Sequence, residues 1–398
     1  MSISQQSQGG ERIPPSEEFC DSLIIKASKS RASEVHLDFY ESKFYIRFRV
    51  DGILELAGEY PFEIYDTTIR KLKVLGQLNI AEVRLPQHGR GQLRDPATNT
   101  MIEFRVSTFP TTPGEAAVIH LINKQETVFE NFESIGMSPD EAELMKDAIH
   151  KPYGMILVVG PAGSGKTATL YTALNQVRSI QKNVITLEDP VEFKLQFVRH
   201  AQIMPSVGFT FAEGMKAVLR QDPDVVFIGE ILDHEIAEIA VRAALSGRLV
   251  FSSISTNDSM GTITRFLELG IPRSFLASTL LLTVSSRFLR KNCLQCVAPY
   301  VPADRFLKEA GLASADGIKF LKGGGCANCE QSGYLGRVPI FEFFPVDKEI
   351  AGLIVEGASV LELLQAAHVK GMKTMREAAV ERAMAGETTL EEAIYSTA

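Results

Sequence analysis

Residues 154–167 read GMILVVGPAGSGKT. The short apolar run MILVV, bounded by glycines, reads as a buried strand. The residues after it, Gly160, Pro161, Ala162, Gly163, Ser164, Gly165, Lys166 and Thr167, fit the pattern G-x-x-x-x-G-K-[ST], and the chain enters a helical stretch at Ala168. In that context the glycines let backbone N–H groups wrap phosphates. Lys166 reaches the β and γ oxygens, and Thr167 holds Mg2+. The stretch predicts a nucleoside triphosphate site, taken here as ATP with Mg2+, with Ala168 the last residue of the cradle.

Working outward, strands alternate with helices from about residue 150 to 290, which argues for a parallel α/β sheet. Just before it, Ser138-Pro139-Asp140-Glu141 carries helix-start chemistry: a capping serine, a proline suited to the first helical position and a glutamate that completes a capping box. Upstream, apolar spacing at Phe19, Leu23, Ile24 and Ala27 predicts a helix. EVHLDFY and KFYIRFRV alternate as a hairpin, and Asp51-Gly52 turns into a further strand. A helix over IYDTTIRKLKVLGQL and strands near 101–107 and 116–122 complete a mixed α+β domain. The expected boundaries are a disordered tail at 1–18, the α+β domain at 19–124, a linker at 125–137, the P-loop domain at 138–292, a cysteine-bearing region at 293–345 and a helical C-terminal region at 346–398.

Two acidic strand ends accompany the phosphate cradle. DVVFIGE (224–230) has four apolar residues, then Gly229 and Glu230. The usual pattern has Asp where this chain has Gly229, so the metal is held less directly and Glu230 becomes the candidate to polarise the attacking water. In TLEDPVE (186–192), Pro190 stops a strand and turns Glu188, Asp189 and Glu192, with Glu188 expected to assist catalysis.

The 398 residues carry 41 Lys and Arg against 49 Asp and Glu, a net charge of -8, which argues against a dedicated nucleic-acid binder. No apolar run approaches the ~18–20 residues of a membrane span, FLASTLLLTVSS being the longest candidate, and the polar start MSISQQSQGGERIPP lacks signal-peptide character. A cytoplasmic location follows, where five cysteines are not expected to form disulfides. Cys20 reads as a small buried hydrophobe. The other four form two C-x-x-C pairs, Cys293/Cys296 and Cys326/Cys329, with 29 residues between. Each pair can grip one tetrahedral ion, and four thiolates suit a structural Zn2+ with no open position for catalysis. The basic stretch Arg287, Arg290, Lys291 is expected to lower the thiol pKa of the first pair. No aromatic and basic surround points to nucleic acid.

Together these segments resemble the type II secretion and type IV pilus assembly ATPases. GPAGSGKTATLY resembles that family's Walker A, LEDPVE its Asp box, and GFTF and LRQDPDVVFIGE its Walker B region. RFRVDGIL, LPQHGR and RVSTFPT resemble its N-terminal domain, and GRVPIFEFFPV and AGETTLEEAI its C-terminal part. The resemblance covers nearly all of the chain after residue ~19. It implies an α+β N-terminal domain followed by a RecA-like P-loop domain with a tetracysteine zinc insert. It also implies a homo-hexamer with nucleotide bound between the domains, peripheral on the cytoplasmic face of the inner membrane and acting on a platform protein there. Arginines of the N-terminal domain are expected to compensate the γ-phosphate, and the candidates are Arg47, Arg49, Arg90 and Arg105; a strand-face salt bridge is the alternative for each. The longer relatives carry an extra N-terminal docking domain, and only ~18 polar residues precede the first helix here, so that docking mode is expected to be missing.

The chain departs from the family at three places. Where the family strand reads close to HLVLSTLHTND, this one reads RLVFSSISTND, with Ser255 at the second histidine and Arg248 at the first. Leu232 replaces an arginine in GEILD. Ser255 can donate a hydrogen bond but carries no charge, so slow hydrolysis with intact nucleotide binding is expected; Arg248 restores positive charge if it points inward and is otherwise solvated. A weakly active or inactive nucleotide-binding scaffold of the same machinery is the alternative reading. Of the remaining candidates, His36 reads as a surface strand residue, His88 as a turn residue near Arg90, and His234 as a helix start. Leu361, Leu363, Leu364 and His368 read as a core-facing helix.

Overall fold

The computed structural model describes residues 16–40, 43–112, 114–122, 130–315 and 317–398. They form two compact units that divide between Thr127 and Val128.

The first unit comprises α1 (Ser16–Lys29), β1 (Glu34–Tyr40), β2 (Lys43–Val50), β3 (Ile53–Pro61), α2 (Phe62–Leu75), β4 (Gln87–Arg94), β5 (Met101–Pro110) and β6 (Glu115–Ile122). The six strands form an antiparallel sheet in the order β3-β2-β1-β6-β5-β4. The expected turn between β2 and β3 is present, with Asp51 and Gly52 both at positive φ (47° and 89°), as a two-residue hairpin turn requires. Alternation puts Val35, Leu37, Phe44, Ile46, Phe104 and Ile119 on one face, where they bury against Leu23, Ile24, Ile69 and Leu72 of the two helices. Cys20 is fully buried there, as read, and burial pushes its thiol up to about 12.

A buried ion pair closes this unit. The Lys73 ammonium donates to Glu115 Oε2 at 2.6 Å and to the Glu82 carbonyl at 2.7 Å, with both side chains almost completely enclosed. Removing one partner strands the other in a low-dielectric core. Lys73→Met is expected to cost roughly 3–5 kcal/mol, and Lys73→Met with Glu115→Leu to recover most of it. Urea unfolding of the full chain measures both.

The second unit opens with η1 (Glu133–Ile135), α3 (Pro139–Ile149), β7 (Gly154–Val159), α4 (Lys166–Val177), β8 (Val184–Glu188), β9 (Val198–Gln202), η2 (Pro205–Val207), α5 (Phe211–Leu219), β10 (Val225–Glu230), α6 (His234–Leu245) and β11 (Leu249–Ile254). It continues with α7 (Gly261–Glu268), α8 (Arg273–Thr279), β12 (Leu280–Asn292), β13 (Val297–Pro299), α9 (Asp304–Glu309), β14 (Leu321–Gly323), β15 (Tyr334–Pro345) and α10 (Lys348–Glu356). Last come α11 (Val360–Val369), α12 (Met375–Met384) and α13 (Leu390–Ser396). The anticipated capping box at α3 is formed by Ser138 and Glu141. The seven-stranded sheet has the order β15-β12-β7-β11-β10-β8-β9 and is parallel except for the β12–β15 pair. Strand β7 is buried on both faces. Met155, Leu157 and Val159 enter a core with Ile236, Val241 and Phe266. Ile156 and Val158 enter another with Met145, Leu170 and Leu174. A further core joins the cysteine region to the C-terminal helices through Leu289, Phe306, Phe320, Val338, Ala379 and Ile394, so these two regions pack as one.

Four expectations need correction. His88 is on strand β4, not in a turn. The helix expected from residue 19 starts at Ser16, while 1–15 lie outside the described residues. The segment expected to be a linker contributes fully buried Phe132 and Met137 to the second unit's core, while 123–129 lie outside the described residues. On α11 the buried face is Leu363 and Ala367 with Leu364 beside them, while Leu361 and His368 are exposed.

Candidate functional site

Strand β7 ends at Val159 and the chain turns through Gly160, Gly163 and Gly165, at φ 142°, 74° and 101°. A Cβ at Gly160 would lie 2.6 Å from the Ser286 carbonyl oxygen on β12, so only glycine fits that backbone approach. Ser164 is buried against Ser286, whereas Pro161, Ala162 and Gly163 are exposed. Gly165 caps α4 without a side chain, which leaves the first N–H groups of that helix for a ligand. Lys166, Thr167 and Ala168 form its first turn. The Lys166 ammonium donates to the carbonyls of Gly160 (2.7 Å) and Pro161 (3.1 Å). Burial draws its pKa below the ordinary lysine value, and the nearby Glu230 carboxylate pulls the other way.

Topology places the other candidates around this loop. Strand β11 lies between β7 and the acidic strand β10, so its C-terminal tip separates the cradle from Glu230. The β10–β11 register breaks between Ile228 and Glu230, making Gly229 a bulge that re-aims Glu230. The Gly229 carbonyl accepts from the hydroxyls of Ser252 (3.2 Å) and Ser253 (3.1 Å), which fixes the bulge. Ser255, the first residue past the strand, donates its hydroxyl to Glu230 Oε1. Its charge-free side chain therefore does bond, and its partner is the carboxylate.

Glu188 occupies a different environment from the one expected. It is buried with both oxygens taken. Oε2 accepts from the Tyr171 hydroxyl at 2.5 Å, and Oε1 from Thr186 at 2.5 Å and His200 Nδ1 at 2.9 Å. His200 Nε2 accepts the Leu195 N–H at 3.1 Å, so the Nδ1 proton faces Glu188. The Tyr171 oxygen also accepts N–H groups of Glu192 (3.3 Å) and Phe193 (3.2 Å). Burial and the adjoining carboxylate push the tyrosine pKa upward, so it donates as a neutral phenol. This network hangs the loop after β8 on α4 and β9. It gives Glu188 a positioning geometry rather than a free carboxylate for water. Tyr171 and His200 carry no sequence signal of their own, because the burial that makes them matter is tertiary.

Arg248 lies at the start of β11, at the sheet end opposite the cradle. It donates to the Ser246 carbonyl and stands 3.7 Å from Asp222, so it does not replace the missing charge. Leu232 is 61% exposed. His234 is exposed at the first turn of α6, as read, with Nδ1 on the Leu269 carbonyl at 2.5 Å.

In the first unit all four candidate arginines share the sheet face opposite the core. Register aligns Arg49, Glu34, His120, Arg105 and Arg90 in one row across five strands, and Arg47 pairs with His36 one step along. Arg47 and Arg49 are in strand-face ion pairs, with Asp38 at 2.5 Å and Glu34 at 2.8 Å, as the alternative reading has it. His36 lies on that surface face, 2.8 Å from Glu34.

The four cysteines of the C-x-x-C pairs converge with all ligand sulfurs within 4.8 Å of one another, the donor set of a tetrahedral soft cation. Burial opposes ionisation of Cys329, but the N–H groups of Cys326 and Gly333, each 3.3 Å from its sulfur, together with the Cys326 and Cys296 thiols outweigh that and draw it down to about 6. In the first pair Cys293 is drawn down by hydrogen bonds to its sulfur, whereas burial pushes Cys296 up to about 11, and the expected basic stretch is the cause of neither. Arg290 pairs with Glu392 at 2.6 Å, and Arg287 donates to backbone carbonyls of Asn257 and Ser396.

A glycine-rich loop opening a helix, an acidic strand two places away and a parallel sheet define a P-loop nucleotide-binding protein of the α/β class. The chain belongs to the Type II/IV secretion system protein family, whose profile matches residues 11–395. It is 39% identical over 383 residues to the type IV pilus assembly ATPase PilB of Thermus thermophilus, covering 96% of this chain and 43% of that protein. It is 38% identical over 388 residues to type II secretion system protein E of Dickeya dadantii, covering 98% of this chain and 77% of that one. The chain thus spans less than half of the Thermus relative's length. The fold is that of the Legionella pneumophila ATPase DotB (TM-score 0.70, 16% identity, 98% of both chains) and of the pilus retraction motor PilT with bound ADP (TM-score 0.60, 24% identity, 94% and 96%). Among the described residues no helix is long and apolar enough to cross a membrane.

Proposed function

We propose that this protein is a hexameric motor ATPase that couples ATP hydrolysis to assembly of a type IV pilus or a type II secretion pseudopilus. It would work at the cytoplasmic face of the inner membrane, on a platform protein there. The observation that carries the reading is the Lys166 cradle facing Glu230 across the tip of β11. In this reading residues 160–168 hold the ATP phosphates, Thr167 holds Mg2+, and Glu230 polarises the attacking water. Glu188 orients the loop beside it. Arg90 and Arg105, and Arg47 and Arg49 by exchanging Asp38 and Glu34 for the nucleotide, offer positive charge to the γ-phosphate, and a Zn2+ on Cys293, Cys296, Cys326 and Cys329 is structural.

Ser255 favours a second reading, a weakly active nucleotide-binding scaffold, because its hydroxyl bonds Glu230 and carries no charge for the transition state. Losing one transition-state donor costs about 10²–10³ in turnover. Ser255→His is therefore expected to raise ATP turnover by at least tenfold. Phosphate release at a protein concentration where size exclusion shows a ring checks this. Wild-type turnover that the histidine accelerates supports the motor, whereas nucleotide binding without turnover in both proteins supports the scaffold.

A further inference from the structure

The loop that follows β11, residues 255–260, is tied to the C-terminal helices by two buried or half-buried charged side chains that the proposed chemistry does not use. Glu342, on β15, is 5% exposed, and among the described residues it forms no ion pair. Its Oε1 accepts both the N–H (2.9 Å) and the hydroxyl (2.5 Å) of Ser259, itself fully buried. Its Oε2 accepts the N–H of Met375 at 2.8 Å, the first residue of α12. The second tie is Arg287 on β12. One guanidinium nitrogen donates to the Asn257 carbonyl at 3.2 Å, and another to the Ser396 carbonyl at 2.5 Å, on the last turn of α13.

Both ties use helix termini in the favourable sense, an anion at the start of α12 and a cation at the end of α13. Both reach the loop through its backbone, and the first also holds it through the Ser259 hydroxyl. The loop in turn is braced internally by Gly261 N–H on Asp258 Oδ1 at 2.6 Å and Thr256 on the Asp258 carbonyl at 3.0 Å. Its first residue, Ser255, bonds Glu230. A displacement at Ser259 or Asn257 therefore passes to Ser255 over two to four braced residues. The same strand that carries Arg287 lines the phosphate cradle through the Ser286 carbonyl and Phe288, which approaches Gly165.

We infer that Glu342 and Arg287 are positioning residues for the reaction at Glu230, and that through them helices α12 and α13 respond to the nucleotide held at the cradle. This rests on the ATPase reading only for its kinetic consequence; the structural response requires nucleotide binding alone. A buried carboxylate with three N–H and O–H donors keeps the loop at one distance from the helix pair. A misplacement of about 1 Å at a catalytic group is enough to cost about 10²-fold in rate.

The test compares wild type with Ser259→Ala, Arg287→Lys and Glu342→Gln in the full-length, metal-replete chain, with Glu230→Gln as the hydrolysis control. Ser259→Ala removes one hydroxyl and leaves the backbone bond, so it keeps the experiment interpretable if the buried Glu342→Gln protein misfolds. Two readouts are taken: kcat and KM for ATP, and hydrogen exchange of residues 375–384 and 390–396 with no nucleotide, with ADP and with a non-hydrolysable ATP analogue. The expected result is a fall of about tenfold in kcat with KM and nucleotide affinity retained, and a nucleotide-dependent change of exchange in α12 and α13 that the variants lose. A purely structural role would change melting temperature without splitting kcat from KM and without removing the exchange response. The inference is overturned if Ser259→Ala and Arg287→Lys keep both wild-type kcat and the wild-type exchange response, or if nucleotide leaves exchange in α12 and α13 unchanged in wild type. If wild type turns over no faster than Glu230→Gln yet shows the exchange response and the variants lose it, the ATPase reading fails and the link to the helices stands.

Discussion

Glu230→Gln is expected to bind ATP and fail to hydrolyse it. The substitution keeps side-chain length and an oxygen that can accept the Ser255 hydroxyl, so the bulge at Gly229 and the tip of β11 have no reason to move. What disappears is the negative charge, and with it the capacity to take a proton from water. General acid–base catalysis by a positioned side chain contributes typically about 10²–10⁴-fold, so turnover should fall by that factor. Binding should move the other way. In the wild type the carboxylate sits within electrostatic reach of Lys166, whose charge it stabilises, and it also faces the place where a γ-phosphate would bring further negative charge. Neutralising it removes that repulsion, so ATP affinity should rise. Phosphate release together with equilibrium binding of a fluorescent ATP analogue separates the two effects. Equal turnover in wild type and variant would remove Glu230 from the chemistry. Loss of binding would mean that Glu230 holds the cradle together rather than acting on water.

The parts of this site that the sequence shows are those whose chemistry is local. A P-loop needs glycines at fixed offsets because backbone N–H groups must converge. A capping box needs Ser138 and Glu141 three residues apart for the same kind of reason. Strand β4 is the opposite case. Its inward positions include Gly89 and Gly91, where a Cβ would lie 2.0 Å from the Gly76 carbonyl oxygen and 2.5 Å from the Phe104 ring. Backbone and ring fill the space that apolar side chains normally occupy, so QHGRGQLR shows no hydrophobic alternation and His88 reads as a turn. Arg248 was open to resolution by arithmetic alone. A strand residue advances ~3.3 Å, and Arg248 precedes the strand tip by six residues, about 20 Å from the cradle end. Glu188 shows the limit of motif reading. The residue type and position match an acidic box, but the roles of its two oxygens depend on Tyr171 and His200, which come from α4 and β9. Arg287 and Glu342 are likewise plain strand residues in sequence. Only the antiparallel pairing of β12 and β15, with α12 and α13 folded back on them, gives them partners.

Replacing Cys329 by serine, or chelating the metal, is expected to loosen the whole C-terminal part of the second unit. The purified chain should carry one zinc per chain, and Cys329→Ser should carry none, as elemental analysis measures. Cys329 is a buried thiol with direct backbone support. It is 4% exposed, and two N–H groups stabilise its thiolate, which is the form that ligates. Serine offers no soft anion at that position. The consequence spreads because the cysteine segment is not an isolated knuckle. The Tyr300 hydroxyl, four residues past Cys296, donates to Glu391 at 2.5 Å and accepts the Leu390 N–H at 2.9 Å, which anchors the start of α13. Asn292, next to Cys293, donates to the Leu321 carbonyl at 2.9 Å and the Gly386 carbonyl at 3.0 Å. Phe306 and Phe320 of the cysteine region share one core with Ala379 and Ile394 of α12 and α13. Metal that binds only the folded site contributes its binding free energy to folding. A loss of several kcal/mol corresponds to a fall in melting temperature on the order of 10 °C at about 2–4 °C per kcal/mol for a unit of this size. Differential scanning calorimetry of zinc-loaded, chelated and Cys329→Ser protein makes the measurement. A chelated protein that melts with the zinc-loaded one would show that the four cysteines pack the region without help from a metal.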